Sequence, residues 1–377
     1  TDPGCPEQGH EVYRGTMGLK VLVAGFSTRH VAQSAFAAGY EVYAVDHFSD
    51  RDLSLYTRES VRFDEIDGIL PAVEEMARRH APDIVIATSG AELLPSRNLY
   101  GTAPEKVQRF LDKLTTHQFF DEIGVRTPML LSPHRFPAML KPRRGSGGWR
   151  NRIVSSATEL EAWRAEFNDP PALAEEVVSG APCSVCCIAD GTRAVAIAAN
   201  RQMLRGSGSA SYGYCGSVTP FLDPRHNALI QVAERIASAS GCVGTLGIDF
   251  IAGDELYAIE INPRFQATLD TVEMATGINL FSLHLAACRG SLPAKKPSCL
   301  QVSARKILFA DRSFTMHRDL SRLAPIVSDI PWPGTAFEEG QAVISVYGWG
   351  STEGEAMRLL HKHFQTVRQY TDGRLYG

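Results

Sequence analysis

Residues 247–264 hold two apolar-rich segments, Gly247-Ile248-Asp249-Phe250-Ile251 and Tyr257-Ala258-Ile259-Glu260-Ile261-Asn262-Pro263-Arg264, parted by Ala252-Gly253-Asp254-Glu255. The intervening composition is that of a hairpin loop, so the segments read as neighbouring strands. Side chains alternate along a strand. Glu260 and Asn262 therefore share a face, and Arg264 extends the row where strand geometry persists. Asp249 can face them from the partner strand, while Tyr257, Ile259 and Ile261 bury the other side. Acids beside a core are costly unless something pairs them. Two carboxylates and an amide oxygen make a hard-oxygen site suited to Mg²⁺, which takes few protein oxygens and fills its shell with water and phosphate. The neighbouring arginine can bind a phosphoryl group bidentately.

At 377 residues the chain fits two or three domains. A formal charge of −4 with mixed signs argues against a nucleic-acid binder dominated by phosphate contacts. No run approaches a bilayer-spanning apolar length. The cysteines Cys5, Cys183, Cys186, Cys187, Cys215, Cys242, Cys288 and Cys299 form no pair of zinc-spaced clips, and Cys183–Cys187 reads as a buried strand. Reduced thiols and the lack of a signal peptide point to the cytoplasm. Residues 1–16 are polar and without period, and read as a tag or dispensable extension.

From residue 17 the pattern alternates. Lys20–Gly25, Glu41–Asp46 and Asp83–Ala87 read as strands; Thr28–Ala38 and Gly68–His80 read as helices. Such alternation implies a doubly wound parallel sheet over 17–102, with ligands at the strands' carboxyl ends. Those ends nominate Arg29, Ser89 and Glu92 as substrate contacts. Asp46 sits where a dinucleotide fold holds a ribose acid, but the turn Gly25–Arg29 lacks the glycine fingerprint, so Asp46 reads as a turn cap. Pro104–Ile123 reads as one helix, and the chain becomes strand-rich from Ala138. Gln231–Ser240 reads as a helix, Asp270–Ala287 as largely helical, Pro293–Pro297 as a linker, and Glu353–Arg368 as a last helix. A strand-rich central region over 103–292 and a C-terminal α+β region over 293–377 follow.

Ala138-Met-Leu-Lys141 runs into the basic turn Pro142-Arg-Arg-Gly145-Ser146-Gly147-Gly148-Trp149. Glycines let backbone N–H groups close on an anion, and Lys141 at the strand end can point at a phosphate. The G-K-[ST] ending of a Walker loop is absent. At Glu175-Glu176-Val177-Val178 a purine could lie against the strand, read by the backbone of Glu176 and Val178; alone, the segment reads more simply as an edge strand with solvated acids. Asn200–Arg205 and Tyr212–Gly216 flank the Gly/Ser-rich stretch 206–211, which suits a lid, with Arg205 placed to pair with a substrate carboxylate. A plain surface hairpin fits that stretch equally well.

Taken in order, Lys113, Lys141 with its glycine turn, Glu175–Val178, Asp249 and Glu260-x-Asn262-x-Arg264 resemble the ATP-grasp superfamily over nearly all of 17–377, in a carbamoyl-phosphate-synthase-like or amino-acid-ligase branch. The resemblance implies an ATP-dependent ligase that joins a carboxylate to an amine through an acyl phosphate. It implies that Lys113, Lys141 and Gly145–Gly148 bind ATP phosphates and that Glu175, Glu176 and Val178 hold adenine. Asp249, Glu260 and Asn262 would bind magnesium, or manganese in its place, and Arg264 would steady the acyl phosphate. The family's ribose acid near Pro182 is missing here, where Ala181-Pro182-Cys183 stands. Small-molecule substrates are implied, with neither nucleic acid nor membrane as partner; a homodimer is compatible. Two alternatives stay open: a kinase or synthetase that stops at phosphoryl transfer, and a nucleotide-binding regulator.

Overall fold

The computed structural model describes residues 18–132, 134–206 and 210–377; the expected N-terminal extension falls outside them. The first unit runs β1 (Lys20–Gly25), α1 (Arg29–Ala37), β2 (Glu41–Asp46), β3 (Glu59–Arg62), α2 (Ile69–His80) and β4 (Ile84–Ala87). The strands pair in parallel in the order β3-β2-β1-β4. Alternate residues of β1 go to opposite faces: Val21 and Val23 pack with Val31, Ala32 and Ala35 of α1. Leu22 and Ala24 pack with Ile69, Val73 and Met76 of α2. One helix therefore covers each face, as the alternation predicts. The strand β3 has no sequence signal, since an edge segment of Glu-Ser-Val-Arg shows no apolar period. Asp46 does cap a turn: its carboxylate accepts from Thr28 N at 2.6 Å and Ser49 N at 2.6 Å.

Two expected helices are each broken in two. Pro104–Ile123 is α3 (Pro104–Phe110) and α4 (Lys113–Glu122), because Asp112 leaves the helix to cap α4 through Leu114 N at 2.9 Å. The break sets Lys113 at a helix start instead of mid-helix. Further on, the helical stretch from residue 270 divides at Gly277, whose φ of +70° ends the first helix.

A small antiparallel sheet, ordered β6-β5-β7, follows from β5 (Ala138–Pro142), β6 (Arg152–Val154) and β7 (Ala172–Glu175). Helix α5 (Ala157–Glu166) covers it with Leu160 and Trp163. The large sheet then takes β8 (Ala181–Asp190), β9 (Ala194–Leu204), β10 (Tyr214–Thr219), β11 (Val243–Ala252) and β12 (Leu256–Asn262). Helix α6 (His226–Ser240) packs Leu229, Ala233 and Ile236 on it, and α7 (Leu269–Thr276) and α8 (Leu280–Cys288) cover it elsewhere. Cys183, Cys186 and Cys187 are buried in β8, and burial pushes the Cys183 and Cys186 thiols up to about 12. They are core residues.

The C-terminal segment adds β13 (Val302–Ala310), the short strands β14 (Phe314–Thr315), β15 (Val327–Ser328) and β16 (Ala336–Phe337), then β17 (Ala342–Gly350), α9 (Glu353–Tyr370) and β18 (Leu375–Tyr376). Strand β13 pairs with β10, so the large sheet runs β12-β11-β8-β9-β10-β13-β17-β15 without interruption across residue 293. The expected boundary there separates stretches of sequence within one sheet.

Candidate functional site

The polar row of the acidic hairpin forms as anticipated, but the buried side takes Ala258 and Ile261, while the bulge turns Ile259 to the cavity and Tyr257 stays half-buried. Strands β11 and β12 are antiparallel, with Asp249 opposite Glu260 and Gly247 opposite Asn262, and a bulge follows Asp249. Asn262 Nδ2 donates to Asp249 Oδ2 at 3.1 Å, and Gln202 Nε2, from β9, donates to Asp249 Oδ1 at 2.8 Å. Burial, with the facing Glu260 carboxylate next, pushes the Asp249 carboxyl up to about 7 against those bonds and Arg264. Lys113 Nζ stands 3.7 Å from Glu260 Oε1.

Arg264 lies beyond the end of β12 rather than on it. It reaches back: Nη2 donates to Asn262 Oδ1 at 3.1 Å, and Nε donates to Glu92 Oε1 at 2.8 Å. Glu92 therefore holds the guanidinium, a role different from the substrate contact expected of it.

Across from this row stand the glycine turn and its lysines. Lys113 Nζ donates to Gly145 O at 2.6 Å, and Arg143, whose carbonyl accepts from Lys113 N, donates to Asp112 Oδ1 at 3.0 Å. Lys141 is 6 % exposed and its ammonium donates to Glu175 Oε2 at 2.5 Å between β5 and β7. Glu175 is thus committed to Lys141, and the Glu176 carboxylate accepts from Met129 N at 3.0 Å. The Tyr212–Tyr214 stretch meets the glycine turn: Tyr214 N donates to Gly147 O at 3.0 Å. Residues 207–209 of the expected lid lie outside the described residues.

One cavity of about 490 Å³ joins these parts, a size suited to a nucleotide-scale ligand. Lys113, Lys141, Gly145–Gly148, Glu175, Glu176, Val178, Asp249, Glu260, Asn262 and Arg264 all border it. Ser89 also borders it, from the end of β4, as the strand-end rule anticipates.

Arg29 and Arg205 do not. Arg29 is 1 % exposed; its guanidinium grips Asp270 at 2.6 and 3.0 Å and donates to Asp329 at 2.9 Å. Arg305, Tyr347 and Asp52 join the same buried cluster, which ties α1 to α7 and to the C-terminal strands. A guanidinium engaged in this way cannot also greet a substrate. Arg205 stacks on Phe309, 3.9 Å from the ring centroid, and donates to Gly340 O at 3.2 Å. Both leave the set of substrate contacts. Gln202 and Tyr214, expected only within the flanks of a lid, border the cavity themselves, and His30 borders it with no signal in the sequence.

The donor set fits a hard cation bound together with phosphate. Among the described residues no cluster of three or more His, Cys, Asp or Glu side chains could hold a metal ion by itself. Asp249 and Glu260 supply two carboxylates and Asn262 an amide oxygen, with room in the cavity for other oxygens. Among the described residues no helix is long and apolar enough to cross a membrane.

Residues 110–268 match the model of the ATP-grasp domain. An uncharacterized protein of Methanocaldococcus jannaschii is 26% identical over 363 residues, which cover 87% of this chain and 88% of that one. The carbamoyl phosphate synthase large chain of Pseudomonas syringae pv. tomato is 25% identical over 281 residues, 67% of this chain. This chain spans about a quarter of that relative, 26% of its length. Among solved structures, the biotin carboxylase domain of Hydrogenobacter thermophilus 2-oxoglutarate carboxylase, in complex with MgADP and bicarbonate, superposes with a TM-score of 0.76 at 16% identity. The match covers 92% of this chain and 89% of that one.

Proposed function

From the match of residues 110–268 to the ATP-grasp domain we propose that the chain is an ATP-grasp ligase which joins a carboxylate to an amine with hydrolysis of ATP, through an acyl phosphate, releasing ADP and phosphate. One observation carries this reading: the Asp249–Glu260–Asn262 row, Arg264, Lys113, Lys141 and the glycine turn border a single cavity. The names of the relatives agree with it, since carbamoyl phosphate synthase and biotin carboxylase are among them.

A carboxylate is a poor acyl donor because its leaving group would be oxide; phosphorylation replaces that with phosphate. Phosphoryl transfer asks for charge neutralisation and placement more than for covalent help. In this reading Gly145–Gly148 and Lys113 hold the phosphates, and the Val178 side of the cavity takes the adenine. Asp249, Glu260 and Asn262 would hold magnesium, which supplies Lewis-acid neutralisation of phosphoryl charge. Arg264, steadied by Glu92, orients the acyl phosphate and donates to the oxyanion formed on amine attack. Lys141 acts through its pair with Glu175, which holds the ammonium near the end of β5. Small-molecule substrates and a cytoplasmic place fit the reading.

The test is a screen of pooled amino acids and amines for ATP-dependent phosphate release, followed by mass spectrometry of the product. A ligase releases ADP and phosphate only when carboxylate and amine are both present. Release of a stable phosphorylated product without an amine would identify a kinase or synthetase instead.

A further inference from the structure

His30 stands on α1 against the cavity, on the wall it shares with Ser27, Thr88, Ser89 and Thr268. It is 6 % exposed and borders the cavity. The ring nitrogens are not among the buried polar atoms that lack a partner, so the imidazole opens to the cavity and can meet what binds there. The segment Arg264–Thr268 borders the cavity throughout, so it leads from the Arg264 guanidinium to this wall. Among the described residues His30 is the one imidazole on the lining. The other lining bases are engaged: Glu175 with Lys141, Glu176 with Met129 N, and Asp249 and Glu260 with the amide and lysine donors around them. Behind His30 lie the charged groups of the buried cluster, Arg29, Arg305, Asp270 and Asp329. Burial foremost, with the two arginines, holds the imidazole down at about 4 against the pull of Asp270 and Asp329, so it is neutral at neutral pH.

Resting on the ligase reading, we propose that His30 meets the amine substrate and takes its proton as the new bond forms. The amine nitrogen attacks the acyl carbonyl and the C–N bond forms. An N–H proton passes to the imidazole, the C–O bond to phosphate breaks, and the departing phosphate carries the electron pair and then the proton. Amide and hydrogen phosphate are the products, and His30 returns to its neutral form. The neutral imidazole accepts a hydrogen bond that aims the nitrogen lone pair; held down at about 4 it is a weaker base than one matched to neutral pH, and it passes the proton on to phosphate instead of retaining it. Ser27, Thr88, Ser89 and Thr268, uncharged residues of the same lining, would meet the rest of the amine.

The experiment compares two nucleophiles on one acyl phosphate. Wild type, His30→Gln and His30→Asn are supplied with MgATP and the twenty amino acids as carboxylates. Hydroxylamine, which is largely unprotonated near neutral pH and needs no base, traps the acyl phosphate as a hydroxamate. Ammonia and a panel of primary amines report amide formation. His30→Gln should slow amide formation by about 100-fold, in the range for loss of a general base, with hydroxamate formation falling by less than about threefold. Retained hydroxamate formation also shows that the variant is folded. Equal loss of both activities, or no loss of amide formation, overturns the proposal. So does a wild type that forms hydroxamate but no amide with any amine. A wild type that forms no hydroxamate with any carboxylate removes the ligase reading itself, and this role with it.

Discussion

Asp249 and Glu260 stand directly opposite one another on β11 and β12, with Asp249 held by amide donors from Gln202 and Asn262 and with Lys113 as the nearest cation to Glu260. Two carboxylates so placed repel, and the arrangement is stabilised by a cation between them. Glu260→Gln removes one charge without removing volume. It should cut turnover by at least about 100-fold, since even outer partners of a metal site cost 10–100-fold, and it should weaken magnesium-dependent nucleotide binding in calorimetry. Thermal stability of the metal-free protein should hold or rise, because one of two opposed charges is gone.

The same pair makes metal-free stability depend on pH. Asp249 is raised from 3.8 to about 7 in the folded chain. Between those values the folded protein binds a proton that the unfolded chain has lost. The stabilisation is complete below 3.8 and disappears as the pH rises through about 7. Thermal melts of wild type and Asp249→Asn across that range should therefore converge in acid and diverge above it, with the wild type falling relative to the variant. Glu273, also raised to about 7, is common to both proteins and cancels. Saturating MgATP should release protons on binding near neutrality, seen as buffer-dependent heat, and Asp249→Asn should lose that dependence.

Lys141 and Glu175 are a buried pair, 8 % and 7 % exposed at their side chains. Lys141→Met leaves a carboxylate buried without its partner, which costs about 3–5 kcal/mol. The variant should thus melt early as well as bind ATP poorly, and the single substitution cannot separate the two effects. Lys141→Met with Glu175→Gln removes both charges and should recover most of the stability. If ATP affinity returns with it, the ammonium makes no contribution to phosphate binding; the phosphate role requires that it stay weak by calorimetry.

How far the sequence reaches is shown by particular residues. The facing of Asp249, Glu260 and Asn262 was legible because strand alternation is a local rule, and the bulge after Asp249 leaves that side of the pair intact. The parallel unit was legible because its strands and helices alternate with clear apolar periods. The break at Asp112 was hidden, since a helical pattern runs through it and Asp112 is also gripped by Arg143, far along the sequence. Arg29 misled because a strand-end arginine looks available; its partners Asp270 and Asp329 lie hundreds of residues away. His30 beside it gave no sign, because which neighbour of a helix start faces a cavity is settled by tertiary packing.

Gly148 has a φ of +71°, and a Cβ there would come within 2.4 Å of Tyr212 O. The glycine turn and the Tyr212–Tyr214 stretch therefore meet backbone to backbone, joined by Tyr214 N donating to Gly147 O. Gly148→Ala forces a left-handed conformation on a residue with a side chain and drives the two stretches apart. The backbone cost is about 1–3 kcal/mol, a loss of roughly five- to a hundred-fold in affinity for a ligand that needs the closed arrangement. ATP affinity should fall by that factor in calorimetry, with little change in melting temperature, because the turn carries few apolar contacts. Hydrogen exchange should rise together at 143–149 and 210–216 in the variant, and a non-hydrolysable ATP analogue should protect both stretches in the wild type. An increase confined to the glycine turn would show that the two stretches close independently.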